Sequence, residues 1–308
     1  MYTPRNRRYS KPTVWTNIGK VKNLPKISVI IPTRNSGWIL SVCLKGILSV
    51  DYPRSKVEII IIDNESSDNT IKFSKKYGAK TYILPGKPPL VCQQRNLGAK
   101  KATGEYLLFL DHDMEISKGL LSDFAKRVEK EGTKYDAWYI PEKIITGSKL
   151  LTALRNFERP FYNATSIDAV RIIRKSKFFG TEKQYDPQLS GGPADWDLDI
   201  QLRQIGCQFD SISEPLYHHE ERMNLFVYIL KKGNWIEGIE TYKQKWTKKY
   251  KGKFKPVIDE QFGLKYRIFT VFFEKGKWKK LLGRPDLYLG VLCIKLAMLL
   301  LATIKFKK

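Results

Sequence analysis

The sequence predicts an α/β fold: a mainly parallel sheet wound with helices, extended at its C-terminus by a helical, basic segment. Three observations carry this. Continuous β-branched runs such as "ISVIIP" (27–32) and "VEIIII" (57–62) read as strands covered on both faces. These runs alternate with helix-length segments that open on capping residues and stop at glycine or proline. Beyond residue 220, leucines, aromatics and lysines recur at helical spacing.

Taken in order, residues 1–26 read as a basic, proline-bearing arm. The first strand, 27–32, ends at Pro32, and a helix follows over 36–50 with Ser36 as its N-cap. The second strand, 57–62, runs into Asp63, and "SSDNTIKFSKKYG" (66–78) is a helix closed by Gly78. "TYILP" (81–85) is a third strand, 91–102 a helix, and "EYLLFL" (105–110) a fourth strand. A helix over 117–131 and a strand at "AWYIP" (137–141) complete the alternation.

The 308 residues carry a net charge of +24, distributed unevenly. Residues 1–26 hold +7, residues 27–219 only +4, and residues 220–308 hold +13. Positive charge confined to the flanks suits an anionic membrane surface better than a nucleic-acid-binding face, so no nucleic-acid partner is expected. The four cysteines, Cys43, Cys92, Cys207 and Cys293, form no C-x-x-C pair and read as reduced thiols in a cytoplasmic setting. The basic N-terminus lacks an apolar core, so no secretory signal is expected.

In an open α/β sheet, ligands bind outside the carboxyl ends of the strands. The residues at those ends here are Thr33-Arg34-Asn35, Asp63-Asn64, Pro85-Gly86 and Asp111-His112-Asp113. No glycine-rich turn follows the first strand, which argues against a Rossmann dinucleotide site and a P-loop. Asp111 and Asp113, two residues apart at a strand end, share a side and can address one ligand. Two carboxylates held together repel unless a cation joins them, and a hard divalent ion such as Mg²⁺ or Mn²⁺ is the natural occupant. The D-x-D spacing alone is common; "DWDLD" (195–199) contains it twice more.

"ISVIIPTRN", "IIIDNESSDNT", "QQRNLGAKKATGEYLLFLDHDM" and "DWDLDIQLRQIG" together resemble, in order and spacing over about 27–220, the signatures of family-2 glycosyltransferases with the GT-A fold. That resemblance implies an inverting transferase using a nucleotide-diphosphate sugar and a divalent metal, within a GT-A domain over 27–220. Position by position, Pro32, Thr33 and Asn35 match the loop touching the nucleotide, and Asp63 the carboxylate that accepts from the base. Arg95 and Asn96 match the segment over the nucleotide and its phosphates. Asp111 matches the ribose-side and Asp113 the metal-side carboxylate, and on charge both stay candidate metal ligands. Asp195 matches the catalytic base, flanked by Trp196 and Asp197 as substrate-binding candidates, Asp197 with a supporting or capping role on its helix. Ala194 departs from the family's usual Glu. His218 matches a metal-ligating histidine, with His219 as substitute.

The extension over 221–308 reads as amphipathic helices (224–250), an apolar run (268–273) and an apolar segment (287–304) interrupted by Lys295. Mid-segment, that lysine costs about 2.5–3.5 kcal/mol at the centre of a bilayer, so an interfacial helix is favoured over a span, with internal packing against 268–273 as the alternative. The expectation is a peripheral enzyme of glycan biosynthesis on the cytoplasmic face of a membrane, transferring a sugar to a saccharide or polyprenyl-linked acceptor. Two rivals are a sugar-phosphate nucleotidyltransferase and an inactive transferase scaffold that binds membrane or nucleic acid.

Overall fold

The structure, a computed structural model, describes residues 23–233, 239–248 and 253–306. Most of the expected basic arm, residues 1–22, lies outside the described residues, as do 234–238 and 249–250 of the expected helical stretch 224–250.

The strands are β1 (Ile27–Thr33), β2 (Val57–Asp63), β3 (Lys80–Ile83), β4 (Tyr106–Phe109), β5 (Met114–Ile116), β6 (Ala137–Tyr139), β7 (Glu142–Thr146), β8 (Val170–Arg174), β9 (Phe209–Ser211) and β10 (Leu216–Glu220). The helices up to residue 204 are α1 (Leu40–Leu48), α2 (Thr70–Lys76), α3 (Val91–Lys101), α4 (Leu120–Glu131), α5 (Lys149–Tyr162), α6 (Lys175–Gly180) and α7 (Gly191–Gln204). The extension adds α8 (Leu225–Gly233), α9 (Ile239–Lys248), α10 (Lys255–Phe262), a π-helical turn (Tyr266–Thr270), α11 (Val271–Phe273), α12 (Lys279–Gly283) and α13 (Pro285–Phe306).

Among the described residues, a seven-stranded sheet has the order β3-β2-β1-β4-β8-β6-β9. Strands β3, β2, β1 and β4 are mutually parallel, β8 enters antiparallel between β4 and β6, and β6–β9 is parallel again. The expected mainly parallel α/β fold is therefore present, and the five expected strands form with shifted ends. The continuous apolar runs have the anticipated cause. Val29 and Ile31 of β1 enter the core under α1 and α4, while Ile30 enters the opposite core under α3 and α7. Covering both faces removes the alternation that a one-sided sheet would show.

Two local expectations differ. Helix α1 begins at Leu40, not near Ser36, and Ser36 does not cap it: its hydroxyl is turned back to donate to the Arg34 carbonyl. Asp111 and Asp113 lie beyond β4, in a turn closed by the Met114 N–H donating to the Asp111 carbonyl. Their proximity is thus a turn property rather than a consequence of strand pleating.

A second, three-stranded sheet, β5-β10-β7, was not anticipated. It pairs β10 antiparallel to β5, with His218 opposite Met114, and parallel to β7. The extension is knitted into the α/β body. Tyr242 and Trp246 of α9 are fully buried in the core beneath α7, and α13 packs on α5 and α8. Lys295 of α13 meets three acceptors: Glu158 at 2.8 Å, and the Tyr162 hydroxyl and Arg267 carbonyl at 2.6 Å each. Its charge is compensated by protein. Among the described residues, no helix is long and apolar enough to cross a membrane.

Candidate active site

The carboxyl ends of β1 and β2 lie in register, Thr33 beside Asp63. Asp63 is fully buried and accepts from Thr33 Oγ1 (2.8 Å), Ser66 N–H (2.8 Å) and Ser66 Oγ (2.6 Å). Asn35 stands in the left-handed region at φ 48°, where Asn is tolerated, and its Oδ1 accepts from the Ser67 N–H at 2.9 Å. Pro32 is buried within β1. Two residues without an assigned role join this loop cluster. Arg34 Nη1 donates to the Asn64 side chain, and Asn64 Nδ2 donates to the Leu84 and Gly86 carbonyls. Thr33, Asp63 and Asn35 are thus joined through Ser66 and Ser67 in one hydrogen-bonded cluster, which, like Pro32, does not line the cavity that holds Arg95 and Asp111.

Helix α3 lies directly against β1: a Cβ on Gly98 would stand 2.4 Å from Ile30 Cγ2. This close approach fixes Arg95, which is 5% exposed. Its Nη2 donates to Asp111 at 2.7 Å, and its Nη1 to Asp195 at 2.9 Å. Its guanidinium also lies 4.8 Å from the Tyr185 ring centre. Asn96 holds that ring in place through reciprocal bonds with the Tyr185 backbone, at 2.8 and 3.1 Å, and so serves Arg95 indirectly.

Asp111 is doubly neutralised, since Arg171 Nη1 of β8 donates to its other oxygen at 3.3 Å. Burial pushes the Asp111 carboxyl up, but Arg95 and Arg171 outweigh it and hold the pKa well below the usual carboxylate range. With both oxygens given to guanidiniums, Asp111 departs from the expected metal-ligand arrangement. Arg171 and Glu142 escaped the sequence reading. Arg171 also donates to Glu142 at 3.0 Å, and Glu142 accepts from Arg159 at 3.1 Å. An arginine inside the apolar run "VRIIR" was the available signal, because a charge is rarely buried unpaired.

Asp113 faces His218 Nε2 at 3.5 Å, and Glu142 lies 4.0 Å from the other ring nitrogen. The β5–β10 pairing brings them together. Burial raises the Asp113 carboxyl, and the His218 contact more than reverses it; His218 is raised in turn. Among the described residues, no group of three or more His, Cys, Asp or Glu is arranged to hold a metal. Two donors of the kinds a divalent cation takes, one carboxylate and one imidazole, nevertheless face each other here, with Glu142 beyond hydrogen-bond reach of the ring and held by Arg159 and Arg171. His219 is committed elsewhere, with Glu115 at 2.9 Å and Glu221 at 2.8 Å on its two nitrogens.

Asp195 sits in the first turns of α7, its side chain 16% exposed. Burial raises its pKa, against the opposing pull of Arg95 and Arg171. Ala194 beside it is buried. Trp196 donates its indole N–H to the Ile167 carbonyl and lines the same cavity as Asp195. Asp197 is different from the expected substrate contact: it is fully buried, takes Lys245 at 2.8 Å and the Trp246 indole N–H at 2.8 Å, and so anchors α9 to α7. Arg95, Asp111, Asp195 and His218 share one cavity of about 700 Å³.

Residues 28–178 match the family model described as Glycosyl transferase family 2. The chain is 33% identical over 115 residues to the poly(ribitol-phosphate) β-N-acetylglucosaminyltransferase TarS of Staphylococcus aureus, a match covering 34% of this chain and 19% of that protein. It therefore spans about a fifth of that curated relative's length. In three dimensions it is similar to the S. aureus TarS structure in complex with UDP-GlcNAc, with TM-score 0.57, 17% identity, and coverage of 89% of this chain and 81% of that one. A mannosyltransferase from Pyrobaculum calidifontis in complex with GDP-Man and Mn²⁺ gives TM-score 0.53 and 16% identity, covering 91% and 82%. At such identities the structural likeness concerns the fold, and the family match supplies the rest: this chain contains a family-2 glycosyltransferase domain with the GT-A fold.

Proposed function

We propose that the protein is an inverting glycosyltransferase that moves a sugar from a nucleotide-diphosphate sugar to an acceptor hydroxyl on a saccharide or polyprenyl-linked saccharide. The observation that carries this is the meeting of Asp111 and Asp195 on the single guanidinium of Arg95, at 2.7 and 2.9 Å, inside one cavity. It supports reading Asp111 and Asp195 as donor-side and acceptor-side groups of one site. Asp195 takes the proton of the acceptor hydroxyl as that oxygen bonds the anomeric carbon and the bond to the diphosphate breaks, inverting the centre. Its raised pKa favours proton uptake. Arg95 holds the base in place. The Nε–H groups of Arg95 and Arg171 are buried without a hydrogen-bond partner, which supports an anionic ligand beside them. Asp113 and His218 are the residues that would hold a divalent cation, Mn²⁺ or Mg²⁺, whose chemistry is charge neutralisation on the leaving diphosphate.

The same proposal puts the protein on the cytoplasmic face of an anionic membrane. Leu289, Cys293 and Leu296 are exposed along one side of α13, and Lys275, Lys279 and Lys280 of the same extension are exposed too. Four free cysteines suit a reducing compartment.

The test is thermal stabilisation and nucleoside diphosphate release with a panel of nucleotide sugars and Mn²⁺. At least one donor stabilises the wild type. Asp195→Asn keeps that stabilisation while turnover falls roughly 10²–10⁴-fold. A panel in which no donor stabilises the protein overturns the proposal.

A further inference from the structure

The cavity that contains Asp195 continues past the acidic cluster and over the extension, where Leu154, Ile268, Ile294 and Met298 give it an apolar wall. Arg267, from the π-helical turn, stands where the two halves meet. Its guanidinium lies 5.6 Å from the ring centre of Trp196, the neighbour of Asp195, and its carbonyl accepts from Lys295 of α13.

Charge matching singles this residue out. The other basic side chains lining the cavity, Arg95, Arg155, Arg159, Arg171 and Lys295, each have a carboxylate within 3.3 Å. Among the described residues, Arg267 has no carboxylate at ion-pair distance. Its Nε donates to the Gln261 carbonyl, and its two terminal nitrogens make no hydrogen bond within the described residues. A partly buried guanidinium without a counter-anion is costly, and its planar fork matches phosphate oxygens.

We propose that this half of the cavity is the acceptor subsite, and that the acceptor is a saccharide joined through a phosphate or diphosphate to a prenyl-type chain. The sugar hydroxyl lies at Asp195, the phosphate at Arg267 and the chain against α13. This assignment rests on the transferase proposal above. In the transfer, the phosphate link of the acceptor is untouched: its sugar O–H loses a proton to Asp195, the new bond to the anomeric carbon forms, and the donor's diphosphate leaves. An acceptor with no charge leaves Arg267 unmatched, and one with no chain leaves the α13 wall bare.

The experiment measures binding of farnesyl phosphate, farnesol and inorganic phosphate to the full chain, by tryptophan fluorescence and thermal shift. Farnesyl phosphate is expected to bind at least roughly tenfold more tightly than either of the others, the worth of one or two charge-assisted hydrogen bonds. Arg267→Gln is expected to abolish its advantage over farnesol. Should that variant lack a cooperative melting transition, Arg267→Lys must retain a reduced preference through its charge alone. Equal binding of farnesol and farnesyl phosphate by the wild type overturns the assignment. Equal binding of dihexanoyl phosphatidate also overturns it, in favour of a bilayer lipid. A wild type stabilised by a nucleotide sugar but indifferent to farnesyl phosphate loses only the acceptor assignment. One that discriminates farnesyl phosphate but responds to no nucleotide sugar loses the transferase proposal instead.

Discussion

Arg95 shows how one buried cation organises carboxylates that otherwise repel. Asp111, in the turn after β4, and Asp195, on α7, come from separate elements, and each gives an oxygen to the same guanidinium. Removing the guanidinium leaves two buried carboxylates facing each other, with Arg171 on one of them. Breaking a buried pair of this kind costs about 3–5 kcal/mol. Arg95→Met is therefore expected to lower unfolding stability by that order in urea titrations. Adding Asp195→Asn to it should recover part of the loss, because Arg171 still matches Asp111 and the carboxylate left without a partner disappears; a double variant as unstable as the single would refute the pairing. Arg95 and Asp195 were identifiable in the sequence as motif positions, but their contact was not. The motif order places each on a cleft, and only the close packing of α3 on β1 decides that Arg95 reaches Asp195. Glu142 and Arg171 were less visible still, because a buried ion network is written in no local spacing.

At the scale of elements, Glu58 of β2 fastens the amino ends of the sheet, away from the site. It accepts from Ser28 of β1 at 2.6 Å, Lys80 of β3 at 2.7 Å and the Thr103 N–H before β4 at 2.8 Å. Burial raises its carboxyl, but these donors prevail and bring the pKa from 4.5 down to about 2. A depressed carboxylate contributes stability that is complete above its unfolded pKa and disappears as pH falls through the folded one. Wild type should therefore exceed Glu58→Gln by on the order of 2–3 kcal/mol at pH 7, with the gap closing between pH 4.5 and 2. A gap that stays constant across that window would count against the assignment. The strands that Glu58 joins were readable because burial on both faces makes them continuously apolar. Strands β5, β7 and β10 were not, since short polar strands acquire their pairing only from partners distant in sequence. The insertion of β8 between β4 and β6 was hidden for the same reason.

For the whole molecule, charge and apolar surface are concentrated at the same end. Residues 220–308 carry +13, and the extension exposes Leu289 (60%) and Leu296 (55%) as well as Lys279 and Lys280. In the sequence Lys295 interrupts the apolar segment, but it points inward to Glu158, leaving the outward side of α13 apolar. Those two sides are not separable in the sequence, because which side of α13 faces α5 depends on the docking of the extension. Two forces then act on a membrane surface in different ways. Coulombic attraction, about 1 kcal/mol for each near-surface Lys or Arg, weakens as salt shortens the screening length, whereas apolar burial does not. Sedimentation with phosphatidylglycerol vesicles should therefore be strong at low salt and reduced, but not abolished, at 0.5 M salt. Leu289→Asp with Leu296→Asp should remove the salt-resistant fraction, and Lys279→Glu with Lys280→Glu should chiefly remove the salt-sensitive one. Phosphatidylcholine vesicles separate the two contributions independently, because they offer the apolar phase without the surface charge. Binding that is lost entirely at high salt would show that the exposed leucines do not enter lipid, and absence of binding at any salt would remove the membrane from the proposal.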